Sequence, residues 1–154
     1  MIKIKYLDIR RSLTSVISKL GIDIFYEDIT EINRPCFYIE LVDYLKEFDS
    51  NYRELKQLDF DIIYFPRDKE GNNSETIEAL EELDNNFEVE GNKILVVTNK
   101  QGEKRFLLIK DVRMHIVDNR GHYEFSIDLY DRYGKPIDYE LMQELHLNFN
   151  KEEK

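Results

Sequence analysis

Cys36-Phe37-Tyr38-Ile39-Glu40-Leu41-Val42-Asp43-Tyr44-Leu45-Lys46-Glu47-Phe48 and, after a short polar break, Leu58-Asp59-Phe60-Asp61-Ile62-Ile63-Tyr64-Phe65-Pro66 decide the reading of the fold. In the first run Phe37, Ile39 and Leu41 fall on one face of an extended chain, with Tyr38, Val42 and Tyr44 near it. In the second, Leu58, Phe60, Ile62 and Tyr64 alternate with Asp59, Asp61 and Ile63, the period-2 pattern of a half-buried strand. Asn33-Arg34-Pro35 sets the start, because Pro35 fixes its own backbone and biases Arg34 toward extended geometry. Asp49-Ser50-Asn51 has turn chemistry between the runs. The two runs predict a long hairpin whose outer portion, Tyr44 to Lys56, exceeds what one small core covers and therefore projects.

Outward from this hairpin the pattern is helix, strands, helix, strands. Ile4, Leu7, Leu13, Val16, Ile17 and Leu20 recur at helical spacing before Gly21, predicting an amphipathic helix over 4–20. Ile22, Ile24 and Tyr26 then alternate as a strand. Residues 67–73 form a polar loop. Ser74 is the expected cap of a second helix with Ile77, Leu80, Leu83 and Phe87 on one stripe, and Glu75 and Glu78 in its first turn suit the helix dipole. Ile94–Val97 and Phe106–Ile109 flank Asn99-Lys100-Gln101-Gly102 as one hairpin. Val112, Met114 and Ile116 face Tyr123, Phe125, Ile127 and Leu129 across Asp118-Asn119-Arg120-Gly121 as another, and Leu145, Leu147 and Phe149 suggest a short C-terminal strand. The expected class is α+β: a mainly antiparallel sheet with two helices packed on it and one long projecting hairpin, as a single domain over 1–154.

Composition narrows the function. A chain of 154 residues buries a core without staples. The net charge of −10 argues against DNA binding by counterion release and against docking on an anionic membrane. Ten Tyr and nine Phe without any Trp suit half-exposed sheets and interfaces, where a Tyr ring is buried and its hydroxyl stays wet. A single cysteine, Cys36, has no intramolecular disulfide partner, which points to a reducing compartment. The N-terminus, Met1-Ile2-Lys3-Ile4-Lys5, lacks the apolar stretch of a signal peptide, so the chain is expected to be cytoplasmic when made.

Catalytic and metal motifs are scarce. His115, His122 and His146 stand apart without metal-ligand spacing, and surface histidines are the plainer reading. Asp59 and Asp61 share a strand face and suit a cation or an acid–base pair, but carboxylates at i and i+2 on an amphipathic strand ordinarily mark its wet face. Cys36 reads as a buried small residue at a strand start. There is no phosphate-binding glycine loop and no nucleophile elbow. No enzyme, no cofactor and no metal site is expected.

Two blocks carry a resemblance. Arg34-Pro35-Cys36-Phe37-Tyr38-Ile39, the hairpin with Tyr52-Arg53, and the closing Phe60-Asp61-Ile62-Ile63-Tyr64-Phe65-Pro66 resemble the tail terminator proteins of Gram-positive phages and of phage-derived particles with contractile tails. The likeness continues in outline through the acidic helix, Val89-Glu90-Gly91, His115-Ile116-Val117-Asp118 and Met142-Gln143-Glu144-Leu145. It implies a ring, commonly a hexamer, on the capsid-proximal end of the tail tube. Such a ring ends tube and sheath growth and offers a surface for head joining. The implied partners are other copies of the chain, the tube protein, and the sheath and head–tail connector proteins.

A closed ring needs a heterologous interface, which strand edges or hairpins supply. The expected assembly residues are Tyr44, Phe48, Tyr52, Arg53, Lys56, Arg34 and Phe65. Competing readings are another neck or head–tail joining protein, an acidic DNA mimic that blocks a basic enzyme, and a small hydrolase using Asp59 and Asp61.

Overall fold

A computed structural model describes residues 3–25, 33–48 and 53–132. Tyr26, the turn expected at Asp49-Ser50-Asn51, Tyr52, His146, Met142-Gln143-Glu144-Leu145 and the C-terminal strand through Leu145, Leu147 and Phe149 lie outside the described residues. The chain runs α1 (Tyr6–Ser18), β1 (Asp23–Phe25), β2 (Cys36–Phe48), β3 (Arg53–Phe65), α2 (Asn73–Asn86), β4 (Glu88–Val89), β5 (Asn92–Thr98), β6 (Lys104–Val117) and β7 (Arg120–Arg132).

Local chemistry sets the helix ends. The Lys5 N–H donates to Asp8 Oδ2 at 3.0 Å, which satisfies one of the orphan donors that open α1. At the other end Gly21 takes φ +71°, a left-handed exit that suits glycine, and its N–H donates to the Ser18 carbonyl at 3.1 Å. The second helix is capped by Asn72 and not by Ser74: Asn72 Oδ1 accepts from the Glu75 N–H at 3.1 Å. Its inner stripe is correspondingly Thr76, Ala79, Leu80 and Leu83, while Ile77 is exposed.

The strands form one seven-stranded sheet in the order β1-β2-β3-β7-β6-β5-β4. Among the described residues only the β1–β2 pairing is parallel, Asp23 opposite Cys36. The sheet curls into a half-barrel. On its inner face lie Phe37, Ile39, Leu58, Phe60, Ile62, Leu107, Ile109, Phe125 and Ile127, covered by Ile9, Leu13 and Ile17 of α1 and Leu80 and Leu83 of α2. The first helix touches both β1 and β5, near opposite ends of the strand order, and so spans the open side of the half-barrel. The second lies over β7, β3 and β6, where Gly121 admits it: a Cβ there would sit 2.5 Å from Thr76 Cγ2.

This architecture corrects the expected α+β class with its projecting hairpin. Strands hold 54% of the described residues and helices 23%, so the molecule is a β-dominated curled sheet carrying two helices. The β2–β3 hairpin does not stand clear of the core. Its second arm pairs with β7 from Arg53 opposite Arg132 to Tyr64 opposite Gly121, which makes β3 an interior strand over nearly its whole length. The physical reason lies in β6. Phe106–Ile109 and Val112–Ile116 read as separate strands, yet one strand of 14 residues carries both across an irregularity between Lys110 and Arg113, where Asp111 takes φ +56°. A strand that long, joined to β7 by the tight turn at Asp118-Asn119 (φ +53° and +62°), lets β7 run the full length of β3.

Candidate assembly surface

Alternation along β3 and β7 sends one set of side chains into the core and the other to the outer face. The outer set forms rows across the strands: Tyr38, Ile63, His122 and His115 in one, Glu40, Asp61, Glu124 and Arg113 in the next, then Asp43, Asp59, Ser126 and Lys110. The histidines expected to stand apart include one direct cross-strand pair. His115 and His122 are opposite in register and stack with ring centroids 5.1 Å apart and planes at 11°. Strand pairing, which their spacing of seven residues around a turn permits, is what joins them. His122 Nδ1 lies 2.8 Å from Asp61 Oδ2, and His115 Nε2 lies 3.8 Å from Glu124 Oε1. The parallel rings do not converge on a common point, and among the described residues no three His, Cys, Asp or Glu are placed to hold a metal ion. Asp59 is bonded to the Ser126 hydroxyl, so the two aspartates that share a strand face have separate partners.

Burial of Asp61 raises its carboxyl above the ordinary 3.8, with the His122 bond opposing. The folded state therefore keeps this proton at pH values where the unfolded chain has lost it, and the contribution of the group to stability falls as pH rises from 3.8 through the raised value. In Asp61→Asn that slope is expected to disappear, so urea unfolding between pH 3 and 7 should give a curve that declines less with pH than wild type. An unchanged curve would mean that Asp61 is not held protonated by the fold.

The expected assembly residues fall into two groups at opposite ends of the β2–β3 hairpin. At one end Arg34 donates to the Pro66 carbonyl at 3.1 Å, and its guanidinium lies 5.7 Å from the Phe65 ring, which Arg120 also covers at 4.8 Å. Phe65 itself is buried. At the other end Phe48, on the last residue of β2, is 76% exposed, and the Arg53 guanidinium sits 4.6 Å from the Tyr130 ring. Tyr44 is half-buried opposite Leu58 and packs on the core. Lys56 is buried within the chain, donating to Asp131 Oδ2 at 3.1 Å and to the Ile4 carbonyl at 3.3 Å, with Glu54 at 3.5 Å.

The end of the sheet marked by Phe48 and Arg53 holds further residues that periodicity did not single out. Tyr130 on β7 is 42% exposed, and on the adjoining start of β6 Phe106 is 66% and Leu108 57% exposed. Phe106 and Leu108 pair with Val96 and Ile94 of β5, which are themselves half-buried. Arg105 fixes the junction: it donates to the Tyr130 carbonyl at 2.9 Å and to the Asp131 carboxylate. Phe106-Leu107-Leu108-Ile109 is uniformly apolar, so alternation carries no signal that Phe106 and Leu108 are on the wet face. Exposed aromatic side chains interleaved with arginine are the composition of interface centres, where they desolvate much area at low entropic cost.

A family model described as phage tail terminator protein matches residues 8–138 of the chain. No curated protein matches it.

Proposed function

We propose, because the chain belongs to the phage tail terminator family, that it caps the capsid-proximal end of a tail tube as a ring of identical subunits, six in number, and seats the aromatic end of its sheet on the tube. The ring ends polymerisation of tube and sheath by occupying the surface on which the next subunit would add, and its opposite side meets the head–tail connector. No bond is made or broken in this role, and no cofactor takes part. The observation that carries the reading is the exposure of Phe106, Leu108 and Tyr130 on the outer face at one end of the sheet, with Phe48 exposed at the same end on the other face, beyond the filled core. Large side chains held out of water's reach only by a partner favour association, at roughly 25 cal/mol per Å² of apolar surface covered.

The test is electron microscopy of tails assembled with the Phe48→Asp/Phe106→Asp chain. Tails of uncontrolled length are expected, with the unfolding midpoint of the purified chain close to wild type because both side chains are exposed. Tails of normal length that lack only heads would overturn termination in favour of the joining role. Tails normal in both respects would overturn the assignment of this surface.

A further inference from the structure

The two helices are sorted by charge. α1 and its flanks bring Lys3, Lys5, Arg10, Arg11 and Lys19; the one carboxylate on the helix, Asp8, is buried, accepts from the Lys5 N–H and lies 3.8 Å from the exposed Arg11 guanidinium, and Lys3 lies 3.9 Å from Glu54. α2 carries Glu75, Glu78, Glu81, Glu82 and Asp84 with no Lys or Arg. Glu75 and Asp84 are engaged within the chain, accepting from the hydroxyls of Tyr64 and Tyr123 at 2.8 and 2.7 Å. Glu78, Glu81 and Glu82 are exposed.

In a chain of net charge −10, one helix thus shows a basic outer face and the other an acidic one. Each face also exposes one large apolar side chain, Leu7 at 57% and Ile77 at 40%. The spacing matches as well: Leu7 and Arg11 are four residues apart on one ridge, and Ile77 and Glu81 repeat that order on the other.

We infer that the occupant of each helix face is the opposite helix of a second copy of this chain: α1 of one subunit docks on α2 of the next, and the repeated contact closes the ring. The inference rests on the ring proposed above and specifies its subunit contact. Leu7 packs beside Ile77, Arg11 and Lys19 meet Glu78, Glu81 and Glu82, and the contact is heterologous, since a basic ridge meets an acidic one. Such a contact uses a different patch on each partner, which is what a closed ring requires. It also sets direction, because the reversed pairings bring like charges together. Between exposed charges the attraction is screened within about 8 Å at physiological salt, so assembly weakens as salt rises.

The experiment is charge exchange in the full chain, with oligomeric state read by light scattering and by electron microscopy. Arg11→Glu/Lys19→Glu and, separately, Glu78→Lys/Glu81→Lys are each expected to raise the concentration needed for assembly at least tenfold. The chain carrying all four substitutions is expected to reassemble, as is an equimolar mixture of the two reversed chains. Circular dichroism checks that each variant keeps its fold. Assembly of both reversed chains at the wild-type concentration overturns the helix contact while leaving the ring standing. Loss of assembly that the fourfold variant does not restore overturns it too. A wild-type chain that stays monomeric, with and without tube ends, overturns the ring itself.

Discussion

Replacing Asp131 by alanine is expected to lower the unfolding free energy by about 3–5 kcal/mol, the cost of leaving buried charge without its partner. Asp131 is fully buried, and its carboxylate joins three separate parts of the chain. It accepts from Lys56 Nζ on β3 at 3.1 Å, from the Arg105 guanidinium on β6, and from the Ile4 N–H at 3.2 Å just before α1. Removing it strands the Lys56 ammonium, whose remaining anionic partner is Glu54 at 3.5 Å, and leaves the Ile4 N–H without its acceptor. Domains of this size are stable by only about 5–15 kcal/mol, so the variant should unfold at a much lower urea concentration than wild type. The combined change Lys56→Met/Asp131→Leu removes both charges of the central pair and is expected to recover part of the loss. A single alanine variant within about 1 kcal/mol of wild type would show that the network contributes no net stability.

Phe125→Ala is expected to cost a similar amount, about 3–5 kcal/mol, for an unrelated reason. The Phe125 ring is 2% exposed and lies 5.4 Å from Phe60, 5.7 Å from Tyr123 and 5.8 Å from Phe87. It sits where the sheet meets the end of α2, so deletion opens a cavity bounded by strands paired on both sides, which relax little. Phe125→Leu keeps most of the apolar volume and is expected to lose less. Thermal and urea unfolding of the two variants measure the difference, and equal losses would show that ring packing is immaterial at this position.

Much of the strand and helix content was legible in the sequence because its cause is local. β2 begins at Cys36 after Pro35 and runs to Phe48, as the composition of that segment indicates, and β3 ends at Phe65 before Pro66. Helix α1 lies inside the span its apolar period marks. The cap of α2 lies two residues before Ser74, since Asn72 and Ser74 both suit a cap and only the backbone selects between them. For the candidate surface, the hairpin end with Phe48 and Arg53 is marked locally by the turn chemistry that follows β2, whereas Phe106, Leu108 and Tyr130 reach the same end from strands distant in sequence.

Local signals carry the main extended and helical stretches and the likeness of the segment from Arg34 to Pro66 to its family, because backbone preference and hydrophobic period act over a few residues. It takes the assembled sheet to place β3 in its interior, to bury Lys56 with Asp131, to set His115 opposite His122, and to bring aromatic side chains to one end. Those facts depend on which strand lies beside which. Pairing is set by the free energy of closing the whole curled sheet around one core, to which β3, β6 and β7 contribute together and no single segment carries the choice.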